Sequence, residues 1–310
     1  MKVRLLQTFG DGSFYEVEWD KPEPTFVELE VKAVMTGVCR SDVDMMDGNF
    51  GPLPSHMQGH EGLGQVTKVG KSLENSVKIG DFVATRGEPA YADFYNVRHG
   101  EFVKVPEAHP RYILEPVACG VNVIAQEIRM IKNRVVRSRP SRILLMGSGF
   151  LAYVAYQTLK NKIMYDIPVT IDVVGRSNKD LWESLDVELK NKPEGTYDVL
   201  IDLSPTDIVV SGEHCSNGAL IFMCTEKTKP ITTSFQNLLW KACTMVFPSP
   251  RSPTFTSSME LAALLVQQKE INVDRFWTKG YDRDTEWQNA FLDSKNRKPD
   301  FGRAYIEWKK

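Results

Sequence analysis

Three short strings in this chain carry side chains able to grip a metal ion or move a proton. Gly37-Val-Cys39-Arg40-Ser41-Asp42 supplies a thiol, a hydroxyl and a carboxylate. Gly59-His60-Glu61-Gly62 supplies an imidazole and a second carboxylate, and Ile113-Leu-Glu115-Pro116 a third. Thiolate, imidazole and carboxylate are the donors that zinc takes, and three of them leave a position open for a substrate oxygen. Taken singly, each residue has a plainer reading. A cysteine is mostly a small buried hydrophobe, a histidine a hydrogen-bonded core residue, and a glutamate a solvated charge.

A fourth string has the chemistry of phosphate binding. Gly147-Ser-Gly149-Phe150-Leu151-Ala152 matches G-x-G-x-x-G/A. In that pattern the first glycine permits a tight turn and the second lets the backbone approach a pyrophosphate. The third position needs a small residue where helix meets strand, a place alanine can fill. The following helix N-terminus then offers free N–H groups to the anion. The plain alternative is an ordinary β–α turn; an apolar strand before it, a helix pattern after it and a second strand beyond favour the dinucleotide. The end of that second strand reads Gly175-Arg176-Ser177-Asn178-Lys179. An NAD site would place Asp or Glu there for the ribose 2′-hydroxyl. An arginine instead pairs with a 2′-phosphate, and glycine leaves room for it. Gly175, Arg176, Ser177 and Lys179 are therefore the candidate ribose-phosphate contacts, and NADP(H) is the expected cofactor. Asp172 is the rival, at the NAD spacing but three residues too early along the strand; Arg176 as a merely solvated charge is the other alternative.

The elements that must position these residues fall into two kinds. The segment 26–34 alternates apolar and polar residues as a half-buried strand does. Brief β runs punctuated by glycine follow at 64–70, 78–84, 92–97 and 102–106, an all-β block. After Pro116 the character changes. Residues 117–132 have helical spacing, 142–146 form a buried apolar strand leading into the glycine turn, and 152–160 are a helix. Further strands follow at 169–175, 197–203, 219–224 and 245–247, then a helix at 259–269 and a last strand at 303–308 that returns to the β block. Apolar strands alternating with helices indicate a doubly wound parallel sheet. The expected organisation is an α/β protein with a β-rich catalytic domain at 1–116 and 252–310 and a Rossmann domain at 117–251.

Composition bounds the partners. The chain has 310 residues, a length that suggests about two domains. Lys and Arg number 38 against 40 Asp and Glu, a net charge of −2, which leaves no basic footprint for nucleic acid. No apolar run approaches the roughly 18 residues of a membrane span, and the first ten residues have no signal-peptide core. Five scattered cysteines with no CxxC pair form no disulfide framework and fit a reducing, cytoplasmic setting.

In its strings GVCRSD, GHEGLGQVTKVG, KIGDFVA, LEP and LLMGSG, in that order, the sequence resembles the medium-chain dehydrogenase/reductase family, in particular its zinc-dependent alcohol, polyol and sugar dehydrogenases. The resemblance covers most of the chain. It implies a GroES-like catalytic domain with Cys39, His60 and Glu115 as zinc ligands. Glu61 would stand beside the metal and exchange onto it, and Asp42 would orient His60. It implies that Ser41 hands on the substrate proton. Asp44 occupies the place of a relay histidine and is either the end of that relay or simply exposed. The family's lobe of four closely spaced cysteines is missing: Asp81-Phe-Val-Ala-Thr-Arg-Gly runs straight into Glu88-Pro-Ala-Tyr. One catalytic zinc per chain at most is the expectation, and homodimer and homotetramer both stay open. Tyr153 replaces the usual small start of the helix after the turn. The expected function is hydride transfer between NADP(H) and a secondary alcohol, polyol or sugar. The alternatives are a zinc-free quinone or enone reductase of the same fold and a catalytically inactive cofactor-binding protein.

Overall fold

The computed structural model describes residues 1–51, 58–136, 140–162, 169–225, 231, 233, 235–298 and 301–308. The chain forms two compact units, Met1–Val117 with Met259–Lys310, and Ala118–Ser258.

The first unit is β-rich. Its strands are β1 (Lys2–Thr8), β2 (Phe14–Asp20), β3 (Glu28–Gly37), β4 (Gly62–Val69), β5 (Phe82–Thr85), β6 (Phe94–Arg98) and β7 (Phe102–Val105), and, after the second unit, β14 (Trp277–Asp282) and β15 (Arg303–Glu307). β1 and β2 pair as an antiparallel ribbon. The main sheet runs β14-β15-β3-β4-β5-β7, with β6 also paired to β3. The last strand, β15, lies antiparallel to β3 and parallel to β14. Alternation supplies the inward face: Leu29, Val31, Val83, Tyr95, Val97 and Ile306 are buried. A helix, α8 (Trp287–Lys295), covers part of this core. Its Phe291 stacks on Phe14 with ring centroids 3.8 Å apart and meets Tyr91 edge-on at 5.3 Å. A short helix of this unit, α1 (Arg40–Met46), begins directly after Cys39.

The second unit carries β8 (Ser141–Met146), β9 (Val169–Val174), β10 (Leu189–Lys190), β11 (Tyr197–Asp202), β12 (Cys215–Met223) and β13 (Thr244–Val246). All pair in parallel, in the order β10-β9-β8-β11-β12-β13. Numbered from β8 this is 3-2-1-4-5-6, the order of a Rossmann sheet, whose switch point falls between β8 and β11. Helices α4 (Phe150–Lys162) and α5 (Lys179–Glu183) make the crossovers from β8 to β9 and from β9 to β10, and α6 (Phe235–Trp240) connects β12 to β13. The strand cores are dry: Ile143, Leu144, Leu145, Val199, Leu200 and Ile221 have no exposed surface, as a sheet covered on both faces requires.

The helical pattern at 117–132 is not one helix. It divides into α2 (Glu115–Ala125) and α3 (Ile128–Val135). The backbone leaves helical geometry at Glu127, with φ −124° and ψ 31°, and periodicity alone does not register a two-residue break. The helix expected at 259–269 begins earlier, as α7 (Phe255–Gln267). Among the described residues no helix is long and apolar enough to cross a membrane.

Candidate metal centre and nucleotide turn

Cys39 caps α1. Its backbone N–H donates to Asp42 Oδ2 at 2.8 Å, three residues on, the reciprocal half of a capping box. The same carboxylate oxygen accepts the Tyr91 hydroxyl at 2.7 Å. Local helix geometry thus fixes both Cys39 and Asp42. His60 arrives from the loop before β4. Gly59 turns the chain there with φ +78°, and a side chain at that position would strike the Tyr91 ring at 2.6 Å. The His60 side chain is 15% exposed, with Nδ1 3.8 Å from Asp42 Oδ1. That is charge contact rather than a hydrogen bond, and Asp42 Oδ1 is itself buried with no hydrogen-bond partner.

Cys39 Sγ, a His60 ring nitrogen and a Glu61 carboxylate oxygen all lie within 4.8 Å of one another. Glu61 is fully buried and Gly37 packs against it, since a Cβ at Gly37 would fall 2.1 Å from Glu61 Oε2. Arg303, at the start of β15, donates from Nη2 to both Glu61 oxygens, at 2.6 Å to Oε2 and closer to Oε1. The Arg303 guanidinium also lies over the Trp277 ring, 5.1 Å from its centroid. Glu115 opens α2 and is buried. It stands outside the close trio, but its charge reaches both His60 and Arg303.

Cys39, Asp42, Glu61 and Glu115 thus share one electrostatic cluster with His60, Arg303 and Arg297. Burial pushes the Cys39 thiol up, and the Glu61 charge adds to it. Burial, helped by Glu61, also raises the Asp42 carboxyl. Burial opposes a charged His60, yet Asp42, Cys39 and Glu115 together hold it well above the usual histidine range. An environment this rich in negative charge, with soft sulfur and imidazole donors converging and a buried carboxylate oxygen unpaired behind the imidazole, suits a divalent zinc-type cation.

Ser41 and Asp44 share α1 with the capping residues. Ser41 is buried, and its hydroxyl makes no hydrogen bond among the described residues. Asp44 is also buried, not exposed: Oδ1 accepts from Arg40 Nη2 and Asn49 Nδ2, both at 3.3 Å.

In the Rossmann unit the glycine string sits at the carboxyl end of β8. Gly147 has φ +136°, closed to side chains, and its N–H donates to Val174 O at 2.8 Å. A side chain at Gly149 would meet nothing within 4 Å, so the backbone there lies open to an incoming group. Phe150, Leu151 and Ala152 form the first turn of α4; Phe150 and Ala152 are buried, as is Tyr153. Gly175 directly follows β9 and packs against this turn, where a Cβ would fall 2.3 Å from Ser148 Oγ. Arg176, Ser177 and Lys179 are exposed. Lys179 pairs loosely with Glu183 at 3.5 Å, and Arg176 has no carboxylate partner among the described residues. Asp172 is differently employed. It is buried mid-strand, opposite Leu144, and its Oδ2 accepts from Arg142 at 2.6 Å, Tyr197 at 2.8 Å and Lys190 at 3.1 Å.

Residues 26–109 match the alcohol dehydrogenase GroES-like domain. Through that domain and a full-length likeness to a sorbitol dehydrogenase, the chain is similar to the medium-chain dehydrogenase/reductase family. Glucose 1-dehydrogenase 1 of Vulcanisaeta moutnovskia is 27% identical over 185 residues; that match covers 48% of this chain and 52%, about half, of the relative's length. Sorbitol dehydrogenase of Halalkalibacterium halodurans is 22% identical over 350 residues, covering 94% of this chain and 95% of its own. Staphylococcus aureus TarJ in complex with NADPH superposes with a TM-score of 0.79 over 100% of both chains at 18% identity, a likeness of fold.

Several participants escaped the sequence reading. Tyr91 and Arg303 lie far along the chain from the residues they hold. An arginine directly before the apolar run Ala304-Tyr305-Ile306 was the available signal for Arg303, because a buried cation needs a buried anion.

Proposed function

We propose that this protein is a zinc- and NADP(H)-dependent dehydrogenase acting on a secondary alcohol, polyol or sugar. The observation that carries the reading is the convergence of the Cys39, His60 and Glu61 donor atoms within 4.8 Å, in a chain whose second unit has a nucleotide turn at the Rossmann switch point. Cys39 and His60 would hold the ion, with Glu115 as third ligand and Glu61 kept beside it by Arg303. A zinc ion so held supplies a Lewis acid for the substrate oxygen, and the nicotinamide carries the hydride. The chain's own part is orientation and proton movement. Asp42 sets the Cys39 end of α1 and faces His60. Ser41, buried on the same helix, is the group to take the substrate proton. Asp44, tied to Arg40 and Asn49, serves as the relay's end.

For the cofactor, an Arg176 with no carboxylate partner among the described residues, beside Gly175, supports NADP(H), and the engagement of Asp172 with Arg142, Lys190 and Tyr197 speaks against Asp172 as the ribose contact. Glucose and sorbitol dehydrogenases among the relatives support a polyol or sugar substrate. A second copy of this chain is the proposed partner. On α6, Phe235, Leu239 and Trp240 are 66%, 79% and 79% exposed, next to edge strand β13, a surface too apolar to stay wet comfortably. The five free cysteines support a cytoplasmic setting.

The test is a panel of alcohols, polyols and aldoses assayed with NADP⁺ and NAD⁺ by absorbance of the reduced cofactor, alongside metal analysis of the purified chain. Turnover favouring NADP⁺ with one zinc per chain is expected. Full turnover in metal-stripped protein would leave the zinc-free reductase as the better reading, and NADPH binding without any turnover would leave the inactive binding protein.

A further inference from the structure

One buried indole braces the glycine turn. Trp182, on α5, has no exposed surface and packs edge-on against Tyr156 of α4, with centroids 5.4 Å apart. Its Nε1–H donates to the Ser148 carbonyl at 3.0 Å. The Asn178 side-chain amide donates to the same oxygen at 3.1 Å. Asn178 is left-handed, with φ 57°, a conformation asparagine tolerates better than most residues. Ser148 is held again through its side chain, which accepts the Ser177 N–H at 3.1 Å.

The carbonyl of Ser148 and the N–H of Gly149 belong to one peptide group. In a planar trans peptide the two point in opposite directions. Two donors on the carbonyl therefore turn the Gly149 N–H away from the protein. That amide has no acceptor among the described residues, and the space beside Gly149 is open.

We propose that Trp182 is a positioning residue for the dinucleotide, holding the Ser148 carbonyl so that the Gly149 amide stands ready for a pyrophosphate oxygen. The proposal rests on the reading of this turn as an NADP(H) site. Without the indole donor, the peptide is free to rotate, and the cost of ordering it falls on the ligand.

Calorimetric titration of the full chain tests this. Wild-type protein is titrated with NADPH and with adenosine 2′-monophosphate, which has the ribose phosphate but no pyrophosphate, and then Trp182→Phe, which keeps an aromatic ring against Tyr156. NADPH is expected to bind the variant about tenfold more weakly, the scale of one hydrogen bond involving a charged group, and adenosine 2′-monophosphate to within about twofold of wild type. Unchanged NADPH affinity overturns the proposal. Equal weakening of both ligands also overturns it, because that is general loosening of the unit. Wild-type protein that binds no NADPH refutes the cofactor reading itself, and the positioning role with it. Should Trp182→Phe lose its circular dichroism signature, Asn178→Gly carries the test: it keeps the left-handed backbone, removes the second donor, and is expected to weaken NADPH alone by about threefold.

Discussion

Arg303 grips both carboxylate oxygens of Glu61 across 242 residues of chain, in a site where the Arg303 side chain is 9% exposed and that of Glu61 not at all. Neither group could be buried alone. Breaking a buried pair by removing one partner strands a charge in low dielectric and costs about 3–5 kcal/mol. Arg303→Met should therefore lower stability by about that amount in urea denaturation, and Glu61→Gln combined with Arg303→Met should recover part of the loss. A double variant destabilised by the sum of the two single losses would mean that the pair is not coupled.

The same pair stands beside the proposed zinc donors. Cys39→Ser and His60→Ala should each abolish zinc retention and turnover together, by atomic absorption and by assay, while Asp44→Asn should leave zinc content at wild-type level and lower only turnover. A His60→Ala protein that keeps its zinc would move the metal elsewhere.

Arg176 is the cation proposed to read the ribose phosphate. Arg176→Ala should lower kcat/KM for NADP⁺ by roughly 10–100-fold, the worth of about 1.5–3 kcal/mol of charge-assisted hydrogen bonding, with kcat/KM for NAD⁺ nearly unchanged. A parallel fall for both cofactors would assign Arg176 to the fold instead.

Asp172 makes a pH prediction. Burial alone would raise its pKa, but hydrogen bonds from Tyr197, Lys190 and Arg142 outweigh burial and hold the carboxyl below its ordinary value. A depressed folded-state pKa contributes stability that is present above the unfolded value of about 3.9 and lost as pH falls through the folded one. Asp172→Asn should cost about 2 kcal/mol near neutrality, and its melting temperature should converge on that of wild type below about pH 4. A constant gap between the two curves across this range would refute the ionised cluster.

The exposed face of α6 predicts assembly. Wild-type protein should sediment as a dimer or larger, and Leu239→Lys with Trp240→Asp should shift it toward monomer without changing its far-ultraviolet circular dichroism. An unaltered sedimentation coefficient would free this face from any role in self-association.

Short-range sterics write themselves into a sequence, and that is why the fold class could be read from it. The period-two alternation of β3 and the apolar run of β8 ending at Gly147 depend on neighbours a few residues apart. So does the small-residue rule of the nucleotide turn. Cys39, His60 and Glu115 were legible only as candidates, since each type has a plainer reading alone, and it was the resemblance of their strings to the medium-chain dehydrogenases that grouped them as ligands. Distance along the chain hides the rest. Nothing near Glu61 says that Arg303 will hold it, nothing near Ser148 says that Trp182 will pin its carbonyl, and nothing local tells Asp172, a plausible ribose ligand by spacing, from a carboxylate used up by Arg142, Lys190 and Tyr197. Those pairings exist only once β15 lies against β3 and β9 against β8, because a buried charge or carbonyl takes its partner from whatever the packed strands bring within about 3 Å.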